Sequence, residues 1–530
     1  MFKFWGKYKQ EKRKIFIAVL GIILTVFAAC NSEAGPQTAL QGNTQTNSGS
    51  AALGNGWEDM AEITVVYPSM GPLPPGLSAV EDEINIITEE KLNVHVNLIM
   101  IESGSYDQQV GLMMSSGETV DLLMTMPSGA STYTNMQMQG QLSDITNLLE
   151  DYGTPVLELL GDLVLGTTIN GKIYGVTGYR NLACSAYLVM RTDVLEDLGL
   201  LEKAQNMTSL SEYEAILEAV KTSERWSYLA PLVSTNPGEC MAQESDYLGH
   251  NNFKDMSCYD PLGDRNRLIS INPEGSDSTV CINYETEEYK KMYEIMRVWY
   301  EKGYVYKDSA TTTDMGQTLV KADAAFSFFS NSELGIEAAK SAACGMEMIC
   351  VKIIDQPITT GSCTKFVWAV PSAAKEPEAA IAFLSLMFTN EQICNLMAWG
   401  IEGVDYEVVN GIAKYIDGNE TPAYHTNDFI CGNQFLILPW DGMDKDIRKQ
   451  SLEAMKNSKV SKYLGFSCDT SSVSTEMAAV INAIDQYRPQ IETGMANENV
   501  YQEFLKKLRD SGVDKIIRCY QEQLDEWLDK

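Results

Sequence analysis

The chain has 530 residues, 45% of them hydrophobic, and a formal net charge of −32. It is long enough to bury a large core and too long for one ordinary domain, so two lobes or more are expected. The acidic balance repels phosphate backbones and anionic lipid, which argues against nucleic-acid binding and against membrane attachment through a basic patch.

The N-terminus departs from that balance. Its first 29 residues carry six basic residues and one acid, leaving −37 on the rest. "MFKFWGKYKQEKRK" is a basic n-region, and "IFIAVLGIILTVFAA" is an apolar stretch too short for a comfortable membrane span. The small residues before Cys30, in "FAAC", resemble the lipobox of bacterial lipoproteins, with Phe27 where Leu is usual. That resemblance implies cleavage before Cys30 and lipidation of its thiol. The alternative is an uncleaved N-terminal anchor, and either places the body outside the cell. Residues 1–29 are therefore read as a lipoprotein signal peptide. Residues 30–60 are read as lipid anchor and flexible linker, being rich in Ser, Thr, Asn, Gln and Gly.

"EITVVYP" predicts a first strand, stopped at Pro68. "SAVEDEINIITEEKL" has helical periodicity with Ser78 as the expected N-cap. "NVHVNLIMI" predicts a strand, "YDQQVGLMMSSGE" a helix, and "TVDLLMTMP" a third strand ended by Pro127. This alternation implies a mainly parallel α/β sheet, whose ligands bind beyond the carboxyl ends of the strands. The rule nominates Tyr67 and the polar loop "PSGASTYTN".

"INGKIYG" carries Asn170-Gly171, a hairpin turn signal, and runs on into Tyr179 and Arg180. "AYLVM" predicts a strand, with a short helix after it capped by Thr192 or Asp193. "EEYKKMYEIMRVWYEKGY" predicts an amphipathic helix stopped at Gly303. "LVKADAAFSFFS", "MEMICVKII" and "KFVWAV" predict further strands. "KEPEAAIAFLSLMFTNEQICNLMAWG" predicts a long helical region, and the last 30 or so residues predict two helices parted at Ser511-Gly512.

Eleven cysteines follow Cys30, an odd number with no CxxC pair, so a disulfide framework is not expected. His95, His250 and His425 are isolated, and no metal site is expected. No HExxH, Walker loop, GxSxG or EF-hand loop occurs. A pair of carboxylates serving glycoside hydrolysis would leave no such local mark.

The order of "SGETVDLLMT", "INGKIYGVTGYRN", "AYLVMRTDVLEDLGL", "KADAAFSFF" and "WGIEGVDYEVVNGIAKY" resembles the extracellular solute-binding proteins of ABC importers. The similarity is to the carbohydrate-binding, maltose-binding-like family in its large Gram-positive lipoprotein branch. The segment from "LPWDGMDK" onward is similar to a C-terminal domain of unknown function found there. The resemblance implies an α/β, two-lobed periplasmic-binding-protein-like fold with a hinge and an interlobe cleft. It places crossings near 179–185, 348–354 and 366–370. The first lobe would comprise 61–178 plus 354–367. The second would comprise 185–353 plus 368–530, including the family-specific region from about 436.

By motif, the resemblance puts Thr125, Pro127, Ser128, Tyr179, Arg180, Phe329, Trp399 and Glu402 at the cleft, to which the topological rule adds Tyr67. Phe329 and Trp399 also suit a core, and Arg180 also suits an ion pair. The implied function is a monomeric, lipid-anchored receptor on the outer face of the cell membrane. It would deliver a carbohydrate to a permease with an ATPase, using no cofactor and catalysing no reaction. A receptor for peptides or other small solutes is the alternative, and a carbohydrate-active surface enzyme a more distant one.

Overall fold

The computed structural model describes residues 57–235, 241, 250–418 and 421–529. The expected signal peptide, Cys30 and most of the expected linker lie outside the described residues. Among the described residues no helix is long and apolar enough to cross a membrane.

The first strand, β1 (Ala61–Ser69), pairs in parallel with β2 (Val94–Glu102), from Ala61 opposite Val94 to Ser69 opposite Glu102. Helix α1 (Leu77–Leu92) connects them and turns Val80, Ile84, Thr88 and Leu92 inward. Asn85 fastens it to the sheet: its amide donates to the Val96 carbonyl at 2.9 Å and its carbonyl accepts from the Val96 N–H at 2.7 Å. Ser78 does not cap α1; Gly76 occupies that position. Its N–H donates to Ala423 O at 2.8 Å, and a Cβ on Gly76 would lie 3.0 Å from the Ala423 backbone. That close approach, unforeseeable from local sequence, fixes where the helix begins.

Helix α2 (Tyr106–Ser116) leads to β3 (Leu122–Met124), parallel to β1. The Asn170-Gly171 turn closes a hairpin of β4 (Thr168–Ile169) and β5 (Lys172–Ile173), with φ of 51° and 77° at the two turn residues. β6 (Val176–Thr177) then enters the first sheet.

The chain next builds a second sheet from β7 (Ser185–Arg191), β8 (Ala230–Val233), β9 (Ala325–Ser332) and β10 (Met348–Asp355), in the order β10-β7-β9-β8. The helix after β7 starts at Thr192 with Arg191 at its N-cap, and Asp193 pairs with the Arg191 guanidinium at 2.7 Å instead of capping. Helices α3 (Leu210–Thr222) and α4 (Glu287–Glu301) belong to this second lobe.

β11 (Val367–Ala369) returns to the first sheet, whose order is β2-β1-β3-β11-β6. The following helices do not pass to the second lobe as the sequence suggested. Helix α5 (Pro377–Thr389) and helix α6 (Glu391–Trp399) bury their apolar residues in the first lobe's core, together with Tyr424, Ile437 and Met455. The all-round apolarity of "AAIAFLSLMF" requires a central position, and the tether at the start of α5 decides which sheet provides it. The start of α5 is tied to the sheet by Asp121, whose buried carboxylate accepts the N–H groups of Lys375 at 2.8 Å, Glu376 at 3.0 Å and Thr64 at 3.0 Å. Asn390 breaks the long helical region by capping α6 through Ile393 N–H at 3.1 Å.

Helix α7 (Ile447–Asn457) ends this excursion. Beyond it α8 (Ser474–Glu492), α9 (Glu498–Asp510) and α10 (Val513–Leu528) complete the second lobe's core. Tyr501 stacks on Tyr293 of α4 with ring centroids 4.5 Å apart. Glu492 is 0% exposed and forms a two-pronged ion pair with Arg267, at 2.7 and 3.2 Å.

The chain thus crosses between the lobes three times, near 178–185, 355–360 and 457–466. The crossings hydrogen-bond side by side: Gln356 N–H to Cys184 O at 2.9 Å, and Ile358 N–H to Lys459 O at 2.8 Å. The second and third crossings differ from expectation. Residues 348–354 are strand inside the second sheet, and 367–369 are strand inside the first.

Candidate functional site

Sheet register decides which residues face the other lobe. Thr125 follows the end of β3, and its N–H donates to Val367 O at 2.8 Å. Thr177, the last residue of β6, lies opposite Val367. Residues 125–128, 178–180 and Phe366 therefore share one edge of the first sheet. In the second sheet the ends of β8, β9 and β10 meet the start of β7, with Ser332 opposite Ser185 and Asp355 opposite Ser185. That edge carries Asn331, Glu333 and Gln356. The crossings join the two edges into the floor of a cleft.

Arg180 sits at this junction, 7% exposed. Its Nε has no hydrogen-bond partner, and its Cζ lies 6.0 Å from the centre of the Phe366 ring. Tyr179 beside it is held in place: its N–H donates to Gly432 O at 2.8 Å, its carbonyl accepts from Gln434 N–H at 3.0 Å, and its ring meets Phe435 edge-on at 5.1 Å. Burial raises the Tyr179 phenol above its ordinary pKa.

Glu333, from the second lobe, lies within electrostatic reach of Arg180, Asp428 and Arg448 and within hydrogen-bonding reach of Gln434. Burial, reinforced by Asp428, pushes its carboxyl up to about 7 against the pull of the two arginines. Arg448 and Asp428 form their own ion pair at 2.6 Å. Asn331 donates to Gln356 Oε1 at 2.9 Å, which leaves Asn331 Oδ1 and Gln356 Nε2 buried without a protein partner.

A group of rings adjoins these charges. Trp399 stacks on His425 at 4.9 Å, His425 meets Trp440 at 4.4 Å, and Tyr415 meets Trp440 at 4.9 Å. Trp399 Nε1 donates to Leu438 O at 3.0 Å, while Arg448 Nε donates to the neighbouring Ile437 O at 3.1 Å. The segment after Trp440 reaches the second lobe: a Cβ on Gly335 would lie 3.0 Å from Ile447 Cδ1. Burial lowers the His425 pKa, opposed by Asp428.

The sequence-derived residues divide accordingly. Pro127 and Ser128 lie on the cleft edge of the first sheet, partly exposed and exposed respectively, and Tyr179 and Arg180 lie at the hinge. Thr125 is on the same edge but buried, its hydroxyl accepting from Val367 N–H at 3.3 Å. Tyr67 is 1% exposed and packs on Trp368 within the core. Phe329 is 0% exposed and points into the second lobe's core against Tyr213, because alternate residues of β9 face opposite sides. Trp399 is 4% exposed and underlies the ring group instead of presenting a platform. Glu402 is exposed on the turn after Gly400, and no contact ties it to Arg180 or Glu333.

Asn331, Glu333, Gln356, Asp428, Gln434 and Arg448 went unnoticed in the sequence. Asn331 and Glu333 lie two and four residues beyond Phe329, at the carboxyl end of β9, where the carboxyl-end rule applied to this strand points. The others arrive through long-range folding and leave no local mark. Among the described residues no group of three His, Cys, Asp or Glu side chains could hold a metal ion.

Residues 84–402, more than half of the chain, match the family of bacterial extracellular solute-binding proteins, and residues 462–529 match a domain of unknown function, DUF3502. A carbohydrate ABC transporter substrate-binding protein of Streptococcus pneumoniae is 25% identical over 545 residues, covering 99% of each chain. The solved N-glycan transport solute binding protein NgtS of S. pneumoniae superposes with a TM-score of 0.76 at 22% identity, covering 89% of this chain and 99% of that one. FusA of S. pneumoniae, solved with kestose, superposes at 0.59 with 15% identity, covering 88% and 99%. At those identities the solved structures speak to the two-lobed fold, and the family match to membership: this chain belongs to the bacterial extracellular solute-binding proteins and ends in a DUF3502 domain.

Proposed function

We propose that this protein captures a carbohydrate outside the cell and delivers it to an ABC importer. The observation that carries the reading is the cleft floor. Guanidinium, amide and carboxyl groups converge there with unfilled hydrogen-bonding capacity, beside a group of aromatic rings. Saccharides match that chemistry, offering hydroxyls to the polar groups and an apolar ring face to the aromatics. The S. pneumoniae relative named for carbohydrate transport and the solved neighbour named for N-glycan transport support it.

In this reading Pro127, Ser128, Tyr179, Arg180, Asn331, Glu333, Gln356 and Trp440 meet the ligand. Thr125, Tyr67, Phe329 and Trp399 hold the walls. Glu402 is retained as a rim contact. A ligand touching both edges stabilises the closed arrangement over the open one, so closure is a population shift driven by contacts made to both lobes. The closed, monomeric receptor then docks on its permease, held at the outer membrane face by a lipid on Cys30.

A thermal-shift screen against oligosaccharides and oligopeptides tests this. A ligand at about 100 times its Kd adds about 2.7 kcal/mol to folding stability. Stabilisation by saccharides is expected; stabilisation by peptides alone would refute the carbohydrate reading.

A further inference from the structure

We infer that the cleft receives a saccharide bearing a carboxylate, seated against the Arg180 guanidinium in competition with the Glu333 side chain. This rests on the reading of the chain as a carbohydrate receptor and narrows its ligand class.

The argument is one of charge and hydrogen bonds at the hinge. Two arginines stand there. Arg448 is satisfied by Asp428 at 2.6 Å and by the Ile437 carbonyl at 3.1 Å. Arg180 is 7% exposed, its Nε finds no acceptor, and among the described residues it enters no ion pair. The Phe366 face 6.0 Å from its Cζ offers a weak cation–π contact, far less than a buried cation loses on leaving water.

Among the described residues, Glu333 is an acid in electrostatic reach of Arg180. Burial and Asp428 push its carboxyl up to about 7 despite Arg180 and Arg448, with the Gln434 amide acting in the same sense as the arginines. Glu333 is therefore a partly protonated and weak counterion at neutral pH. A saccharide carboxylate stays ionised there and matches the planar guanidinium fork, which hydroxyls alone leave uncompensated. Gln356 Nε2 and Asn331 Oδ1 lie on the facing edge, buried and unpartnered, a donor and an acceptor for hydroxyls of the same sugar. The acidity of the whole chain does not oppose this at close range, since distant charges are screened beyond about 8 Å at physiological ionic strength.

The sign of the pH dependence follows. As pH rises through about 7, Glu333 ionises and competes for Arg180. Binding of an anionic sugar takes up a proton and weakens with rising pH.

The test is a glycan array on the full chain, with calorimetry on matched pairs: 3′-sialyllactose against lactose, and digalacturonate against its methyl ester. Carboxylated members should bind about tenfold or more tighter than their neutral partners. They should bind several-fold tighter near pH 6 than near pH 8. Arg180→Met should abolish the preference, Arg180→Lys should restore part of it, and Glu333→Gln should flatten the pH dependence. Neutral members binding as well as or better than carboxylated ones overturns the inference and leaves the carbohydrate reading standing. Carboxylated members failing to bind also overturns it. Binding of peptides alone, in a parallel peptide arm, takes down both.

Discussion

Replacing Glu492 with alanine should destabilise the second lobe by about 3–5 kcal/mol, the cost of breaking a buried ion pair from one side. Glu492 is 0% exposed, at the end of α8 within DUF3502. Its carboxylate accepts from Arg267 at 2.7 and 3.2 Å and from the Tyr289 hydroxyl at 3.2 Å. Alanine leaves the Arg267 guanidinium, 11% exposed, without that counterion in a site no longer filled. Glutamine keeps the shape and part of the hydrogen bonding, so Glu492→Gln should cost less. The assay is urea unfolding followed by tryptophan fluorescence, since Trp299 lies in the same core. The two lobes need not unfold together, so the second-lobe transition is fitted separately. A loss below about 1 kcal/mol for Glu492→Ala would refute the claim that the C-terminal helices are an integral part of the second lobe.

Phe329→Ala and Trp399→Ala should each cost about 3–5 kcal/mol of stability, read by denaturant midpoint, with affinity per folded molecule little changed. Trp440→Ala should differ in weakening saccharide binding per folded molecule about tenfold in calorimetry, beyond the stability it loses with its contacts to Trp399, Tyr415 and His425. His425 is held neutral by burial, so the unfolded chain protonates it first as pH falls. Its contribution is present above the unfolded pKa of about 6.5 and lost as pH drops through that value toward the lower folded one. His425→Phe should therefore reduce the loss of thermal stability between about pH 7 and about pH 5.

Local signals in the sequence were faithful where local forces decide. The Asn170-Gly171 turn, the break at Ser511-Gly512 and the parallel order of β1, β2 and β3 all follow from turn chemistry and periodicity. The division into lobes was less legible. Nothing in "AAIAFLSLMF" says which sheet it packs on; that is settled by Asp121, some 250 residues earlier, gripping the start of α5. Likewise Asp428 and Arg448 reach the cleft only because 390–457 folds back onto the first lobe. Arg180 was legible as a cation at a strand end, but its want of a counterion depends on where Arg448 takes its own. Phe329, beside a strand end, suits core and cleft alike in sequence, and only the facing of β9 turns it to the core.

Small-angle scattering with and without a saturating saccharide found in the binding screen tests the central claim most directly. Capture between two lobes predicts a smaller radius of gyration in the bound protein, and a substitution of Arg180 that weakens binding should shift that compaction to higher saccharide concentration. Saccharide binding with an unchanged radius, and with affinity indifferent to Arg180, would contradict a carbohydrate held at the hinge.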